Sequence, residues 1–409
     1  MRRNLIQHLI IGLGSIFATS GFAVENAKVL PKGARNLDLK SVFTSIHEKS
    51  DSIGVYHPIA EPLAKEFTFR KVLENEKGIN KMLLKSFMQG RFSEDDSLGH
   101  FTADMKGNIS ILAGVLSYGV TEHLTLAIGV PFYQAKMNVK MGFEASPNAL
   151  RLVEELNTPG NNQPGKSREI AAKITNAVGE LNQKLLDNGY QPIQDFSKSG
   201  IGDITLAAKY QILNHPHVRL ANAAGTIAPT GYAGDSSVPI NIPFGTGSWG
   251  FFNTFYIDEP LTQDFWFNQY FKYTYQLPTR KTVRLKTEDE TITVPRDDVR
   301  HKIGDRFETG ISAQYEPSFG LIAASGLSYT RKHGDRYSVD DLNSKSAIEK
   351  DSHDWATYWE AKLGYQSIPA FLRKEFPIPF NVTLEMKRHL RSANTVVKDL
   401  YTFDFNLFF

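Results

Sequence analysis

The chain predicts an all-β fold: a transmembrane antiparallel β-barrel of about twelve strands. Three observations predict it. Residues 399–409 (DLYTFDFNLFF) place Tyr401, Phe403, Phe405, Leu407 and Phe409 on one face at period two, with Thr402, Asp404 and Asn406 on the other. Large apolar groups need an apolar medium, while Asp404 and Asn406 need water or partners. A strand between lipid and a polar lumen satisfies both, whereas the soluble alternative, a sandwich strand, requires an unusually apolar core face. Second, no long apolar run follows the N-terminus, so any membrane crossing falls to strands. Third, the connections alternate in length. Turns near Gly119, His215, Asp258 and Pro317 are short, residues 368–379 are intermediate, and the connections between them are mostly long and charged. Outer-membrane barrels have short periplasmic turns and longer external loops. With Phe409 at the periplasmic end, every short turn falls on that side.

Composition narrows the compartment. The 409 residues include no cysteine, which removes disulfides and thiolate metal sites and suits an oxidising environment. Residues 1–23 read as a secretory signal peptide: Arg2 and Arg3, then an apolar run over 5–17, then small residues at Gly21-Phe22-Ala23. Without Arg2 and Arg3 the basic residues equal the 44 acidic ones. A neutral balance gives no electrostatic case for nucleic acid. The mature chain, 24–409, is expected in the bacterial outer membrane. Its expected partners are outer-membrane lipid and lipopolysaccharide, and the barrel-assembly machinery through the C-terminal Phe409.

In chain order, 34–46 is a first strand with loose alternation. Residues 47–97 read as a long loop with some helix, or a partial plug, a mixed stretch broken by Pro58 and Pro62. From 100 the alternation sharpens into strands over 100–118 and 124–139. The second sets Leu124, Leu126, Ile128, Val130 and Phe132 outward. Residues 142–199 read as a helical external loop or lid. One helix is expected over 147–156 and another over 167–188, with Ser167 as N-cap and Gly189 past the end. Strands follow from Ile204, Val218, Ser248, Asp264, Gly304, Phe319, His353 and Phe380, with 278–302 a charged loop. The total is twelve strands, or fourteen if 50–97 contributes a hairpin. Trp249, Trp266, Trp355 and Trp359 suit aromatic girdles at the membrane interfaces.

Three segments carry a resemblance. Leu116-Ser117-Tyr118-Gly119-Val120-Thr121-Glu122-His123-Leu124 runs on to Val130-Pro131-Phe132. Gly200-Ile201-Gly202-Asp203 leads into Ala208-Lys209-Tyr210, and Pro229-Thr230-Gly231 precedes Gly245-Thr246-Gly247-Ser248. In this order they resemble the outer-membrane barrels labelled "MetA-pathway of phenol degradation", related to the long-chain fatty-acid transporters. The resemblance covers roughly 116–277; the C-terminal half matches only as a barrel. It implies a passive channel for small, hydrophobic molecules and no catalytic residues. The helical stretch 142–199 departs from it.

The inward faces place Asp203, Lys209, Lys272, Arg306, Glu308, Glu316, Lys332, Glu360, Lys362, Glu385, Lys387, His389 and Asp404 in the lumen. Mixed signs argue against a strongly ion-selective ring, and charges in such a lumen can pair across it. An ion-paired, closed structural or surface-interaction barrel is the alternative to a conduit. An outer-membrane hydrolase is a third reading, with Ser248 and the partners His389, His353 and Asp354, but no Gly-x-Ser-x-Gly is present. His215-Pro216-His217 lacks a third metal ligand. Residues 287–291 (TEDET) and Asp297-Asp298 suit a solvated loop better than a calcium site. No cofactor is expected.

Overall fold

The computed structural model describes residues 26–75, 78–158, 164–286 and 294–409. Twelve strands make the wall: β1 (Arg35–Ile46), β2 (Ser97–Gly119), β3 (Leu124–Ala145), β4 (Ile204–His215), β5 (Val218–Ala228), β6 (Gly250–Pro260), β7 (Phe265–Gln276), β8 (Arg306–Tyr315), β9 (Leu321–Lys332), β10 (Asp354–Gln366), β11 (Phe380–Ala393) and β12 (Leu400–Phe408). Each pairs antiparallel with its neighbours in chain order. The ring closes where β1 meets β12, from Asn36 opposite Phe408 to Phe43 opposite Tyr401. Closure leaves no unpaired wall edge, as a bilayer demands.

Period two sets what each strand shows to lipid. On β1, Asn36, Asp38, Lys40, Val42, Thr44 and Ile46 are buried, and Leu39 and Phe43 are exposed. On β12, Tyr401 and Phe403 are exposed while Asp404 and Asn406 are buried. The same band of exposed apolar residues continues through Leu126, Ile128, Leu206, Ile311, Leu363 and Leu384. A continuous apolar belt of this kind is far larger than a monomer tolerates in water. Aromatic residues crowd the short-turn rim, where the ring of Phe380 lies 6.1 Å from Tyr365 and 6.2 Å from Phe405. Trp266 departs from the girdle expected for it. Its parity turns it inward, beneath the Arg219 guanidinium at 4.1 Å and the Lys28 ammonium at 5.3 Å.

Strands β2 and β3, of 23 and 22 residues, rise beyond the other strands at the long-loop end. Helices pack on this projection: α1 (Phe69–Asn75), α2 (Gly78–Met88), α3 (Pro147–Asn157) and α4 (Pro164–Thr175). They share a core of Phe69, Leu84, Leu98, Ala149, Leu152 and Ile170. The expected helix over 167–188 is two, α4 and α5 (Ala177–Asp187), separated at Asn176. The N-cap expected at Ser167 is wrong as well, since α4 begins at Pro164 and Ser167 is wholly buried within it. Gly189 ends α5 as expected, at φ +73°, with its N–H donating to Leu186 and the N–H of Tyr190 donating to Leu185. The charged loop expected over 278–302 contains a hairpin, Thr279–Arg284 against Arg296–Lys302, extended by Arg336–Ser338. Its alternation was obscured by charge on both faces. Residues 287–291 lie outside the described residues, and Asp298 pairs with Arg280 at 3.4 Å.

Candidate functional site: the barrel lumen

The barrel encloses a cavity of about 1200 Å³. Its two sides differ in chemistry. Strands β3 to β6 contribute small or apolar groups, among them Ala127, Ala207, Ala223 and Phe252. Strands β10 to β12 and β1 contribute charges that are paired across neighbouring strands. Lys362 Nζ lies 2.7 Å from Glu385, Lys387 Nζ lies 2.6 Å from Glu360, and Lys40 Nζ lies 3.7 Å from Asp404. Lys272 and Glu308 are 3.9 Å apart, as are Arg306 and Asp354. Ser328 also donates to Glu360 at 2.5 Å. The first two pairs are within hydrogen-bond distance, and the other three are longer electrostatic contacts.

Ten of the thirteen expected lumenal residues line this cavity: Lys209, Lys272, Arg306, Glu308, Glu316, Glu360, Lys362, Glu385, Lys387 and Asp404. Three stand off its lining. Lys332 is the last residue of β9 at the long-loop end, buried against Asp335 at 2.8 Å. The His389 ring packs edge-on to Tyr56 and Tyr358, and the backbone N–H of His389 donates to Asp399. Asp203 is a knot. It accepts from the N–H of Gly231 at 2.9 Å, from the N–H of Thr246 at 2.8 Å and from Thr246 Oγ1 at 3.0 Å.

That knot joins the second and third of the resembling sequence segments. A Cβ on Gly231 would lie 2.9 Å from Cα of Gly245, and one on Gly202 would lie 2.3 Å from the Tyr133 ring. Glycine is required by close approach here. The loop so fastened carries Ile240, Ile242 and Phe244 into a buried cluster with Val42, Ile46 and Ile111 of the wall. Phe244 stacks on Tyr133 at 5.3 Å. The same cluster takes Ile59 and Leu63 from the 47–97 stretch, and Leu185, Tyr190 and Ile193 from the helical excursion. The long-loop mouth is therefore filled by apolar side chains drawn from three loops.

The short-turn mouth is occupied differently. Residues 26–34 lie against the inner wall, with Asn26 and Ala27 buried. The N–H of Ala27 donates to Asp258 Oδ2 at 2.8 Å, Lys209 Nζ donates to the Asn26 carbonyl at 2.6 Å, and the N–H of Leu30 donates to Thr125 Oγ1 at 2.8 Å. Lys28 pairs with Glu316 at 2.8 Å. Lys209 and Glu316 thus anchor this segment rather than face open water. Lys40 and Asp354 line the cavity, and Asp38 and Asp258 are buried on the inward side; none of the four was among the expected lumenal residues. For Asp38 and Lys40 the signal was present, since Asn36, Asp38 and Lys40 alternate with Leu37 and Leu39.

The residues weighed for catalysis and metal binding do not converge. Ser248 is buried and donates to Gln276 at 3.0 Å, whereas the His353 ring meets Asn394. His215 and His217 lie with ring centroids 5.4 Å apart on an exposed turn. Among the described residues, no three His, Asp or Glu side chains are grouped to hold a metal.

No protein-family profile matches the chain, and no curated protein matches it. Solved structures do. An outer membrane channel from Pseudomonas putida F1 superposes with a TM-score of 0.53 at 13% identity, covering 95% of this chain and all of that one. The toluene transporter TbuX of Ralstonia pickettii matches at a TM-score of 0.36 and 13% identity over 93% of this chain and 90% of its own. A FadL homologue from Pseudomonas aeruginosa matches at 0.33 and 9%, over 100% and 98%. The latter two superpositions are too loose to carry an argument. With the first, the closed twelve-strand ring and the apolar belt, the fold is that of a bacterial outer-membrane barrel.

Proposed function

We propose that the chain is a passive outer-membrane channel for small, hydrophobic molecules, not an enzyme. The observation that carries this reading is the cavity inside a lipid-spanning wall. At about 1200 Å³ it exceeds the roughly 300–1,000 Å³ of ordinary small-molecule sites, and one side of it is apolar. The likeness to an outer membrane channel supports the architecture this requires. The apolar filling of the long-loop mouth selects against hydrated ions, because a hydrophobic constriction excludes water. In this reading the excursion of α3 to α5 acts as a lid. Its end at Leu185, Tyr190 and Ile193 sits on the loop held by Asp203. The second reading, a closed structural barrel, is favoured by the paired charges of β10 to β12.

Single-channel recording in a planar bilayer, of the parent beside a variant lacking 147–189, separates the two. Small or absent steps in the parent and larger ones in the variant are expected. Uptake of a monoaromatic solute by cells producing each protein should exceed that of cells producing neither. Silence from both proteins, with no added uptake, would leave the closed barrel.

A further inference from the structure

Three arginines stand on the lipid-facing side of β9 to β11, near the long-loop end. Arg331, Arg388 and Arg391 are all exposed. Residues three apart on a regular strand point to opposite faces, so Arg388 and Arg391 would be separated. A bulge prevents that. Between Thr357 and Tyr358 of β10 the register shifts, so that Arg388 lies opposite Trp359 and Arg391 opposite Thr357. Both guanidiniums therefore face outward, while Tyr358 and Ser392 remain buried on the other side. On β9, Arg331 lies opposite Trp355, and Tyr329 opposite Thr357. Tyr329 and Trp355 lie 6.3 Å apart between the arginines.

These cations differ from those inside. Lys362 and Lys387, on the inner face of the same strands, are ion-paired. Among the described residues, no hydrogen bond or ion pair engages the side chains of Arg331, Arg388 or Arg391. Height explains how they are tolerated. Phe380 sits in the short-turn aromatic rim, and Arg388 is eight residues further along β11. At a rise of about 3.3 Å per residue and a tilt near 40°, that is roughly 20 Å of the ~25 Å apolar band. A snorkelling guanidinium there reaches the headgroups, beside Trp355 and Trp359 at the girdle level.

We propose that this patch is a docking surface for the phosphorylated headgroup of a glycolipid in the outer leaflet. A guanidinium is permanently charged and matches a phosphate with two parallel hydrogen bonds. From β9 to β11 the arginines span two strand spacings, about 10 Å. That separation suits a sugar headgroup carrying more than one phosphate, and the indole faces between offer platforms for the sugar rings. A diacyl phosphodiester offers one phosphate and no ring.

The test is a titration of the refolded protein in neutral detergent micelles, read by intrinsic tryptophan fluorescence, with diphosphoryl lipid A, its dephosphorylated form and phosphatidylglycerol. Diphosphoryl lipid A should bind the parent at least about tenfold more tightly than either of the others. The variant R331Q/R388Q/R391Q should lose on the order of a hundredfold, at about fivefold per arginine. Unchanged affinity in that variant, or equal binding of phosphatidylglycerol and lipid A, would overturn the proposal. The single variant Arg388→Gln and the lipid comparison on the parent alone decide the matter if the triple variant does not refold.

Discussion

Asp203 shows how much one buried carboxylate can organise. Its three accepted hydrogen bonds all come from the loop that fills the long-loop mouth. In Asp203→Asn one acceptor oxygen becomes a donor, which in either amide orientation would face an N–H, that of Gly231 or that of Thr246. A buried charge-assisted bond is lost and a donor is left unmatched, at a cost of about 2–3 kcal/mol. Denaturant unfolding should show that loss, and single-channel records should show a larger conductance as the loop loosens. Lys49 makes a different residue-scale case. It lies beyond the barrel wall in the small sheet of Glu48–Ser50, Tyr56–Pro58 and Val396–Val397. Burial, with Lys286 adding to it, pushes its ammonium down to about 7. A lysine depressed on folding binds fewer protons folded than unfolded between that value and its ordinary one near 10.4. Stability should therefore rise with pH across that window, and rise less steeply for Lys49→Met. Melting temperatures of both proteins from pH 6 to 10 check the sign; a parallel pair of curves would refute it.

At the scale of elements, the short-turn segment 26–34 is held by wall contacts that one substitution can disturb. A Cβ on Gly119 would lie 2.0 Å from the Pro31 carbonyl oxygen, and the N–H of Gly33 donates to the Gly119 carbonyl at 2.8 Å. Gly119→Val should displace the segment, exposing its backbone to added protease and raising conductance, with the wall strands unchanged by circular dichroism. An unaltered cleavage pattern would contradict it. This segment was invisible in the sequence because it has no periodicity; side chains of β3, β4 and β6 and of the turn after β8 hold it. Strands β8 and β12, and β3 as far as residue 139, were legible because lipid outside and polar groups inside impose alternation; the continuation of β3 to Ala145 was read as part of the helical excursion. The helices at 147–187 were legible as stripes, but the break at Asn176 was not. The side chain of Asn176 lies where a Cβ on Gly179 would fall. Among expected site residues, those within regular wall strands line the cavity. Asp203, Lys332 and His389 sit at strand ends or beside a bulge, where parity no longer reports direction.

The whole molecule is a wall whose two faces obey different solvents, and that partition can be measured. Leu384 is 62% exposed midway along β11, between Phe380 at the short-turn rim and Arg388 near the other. Lipid at that depth cannot solvate a guanidinium, so Leu384→Arg should destabilise the protein refolded in vesicles by about 2–4 kcal/mol. Tyr365→Arg, at the rim, should cost about 0–1 kcal/mol, because the headgroups are within reach. In the lumen, Lys362→Met leaves Glu385 without the partner 2.7 Å away. It should destabilise the protein through an uncompensated charge, and the double variant Lys362→Met with Glu385→Leu should recover much of that loss. Denaturant titration in vesicles yields all four values. A large penalty at Leu384 with a small one at Tyr365 requires an apolar band between them. Recovery in the double variant would show that the ladder of β10 to β12 contributes to lumen polarity more than to stability. A conduit can then carry paired charges along one side without depending on them to stand.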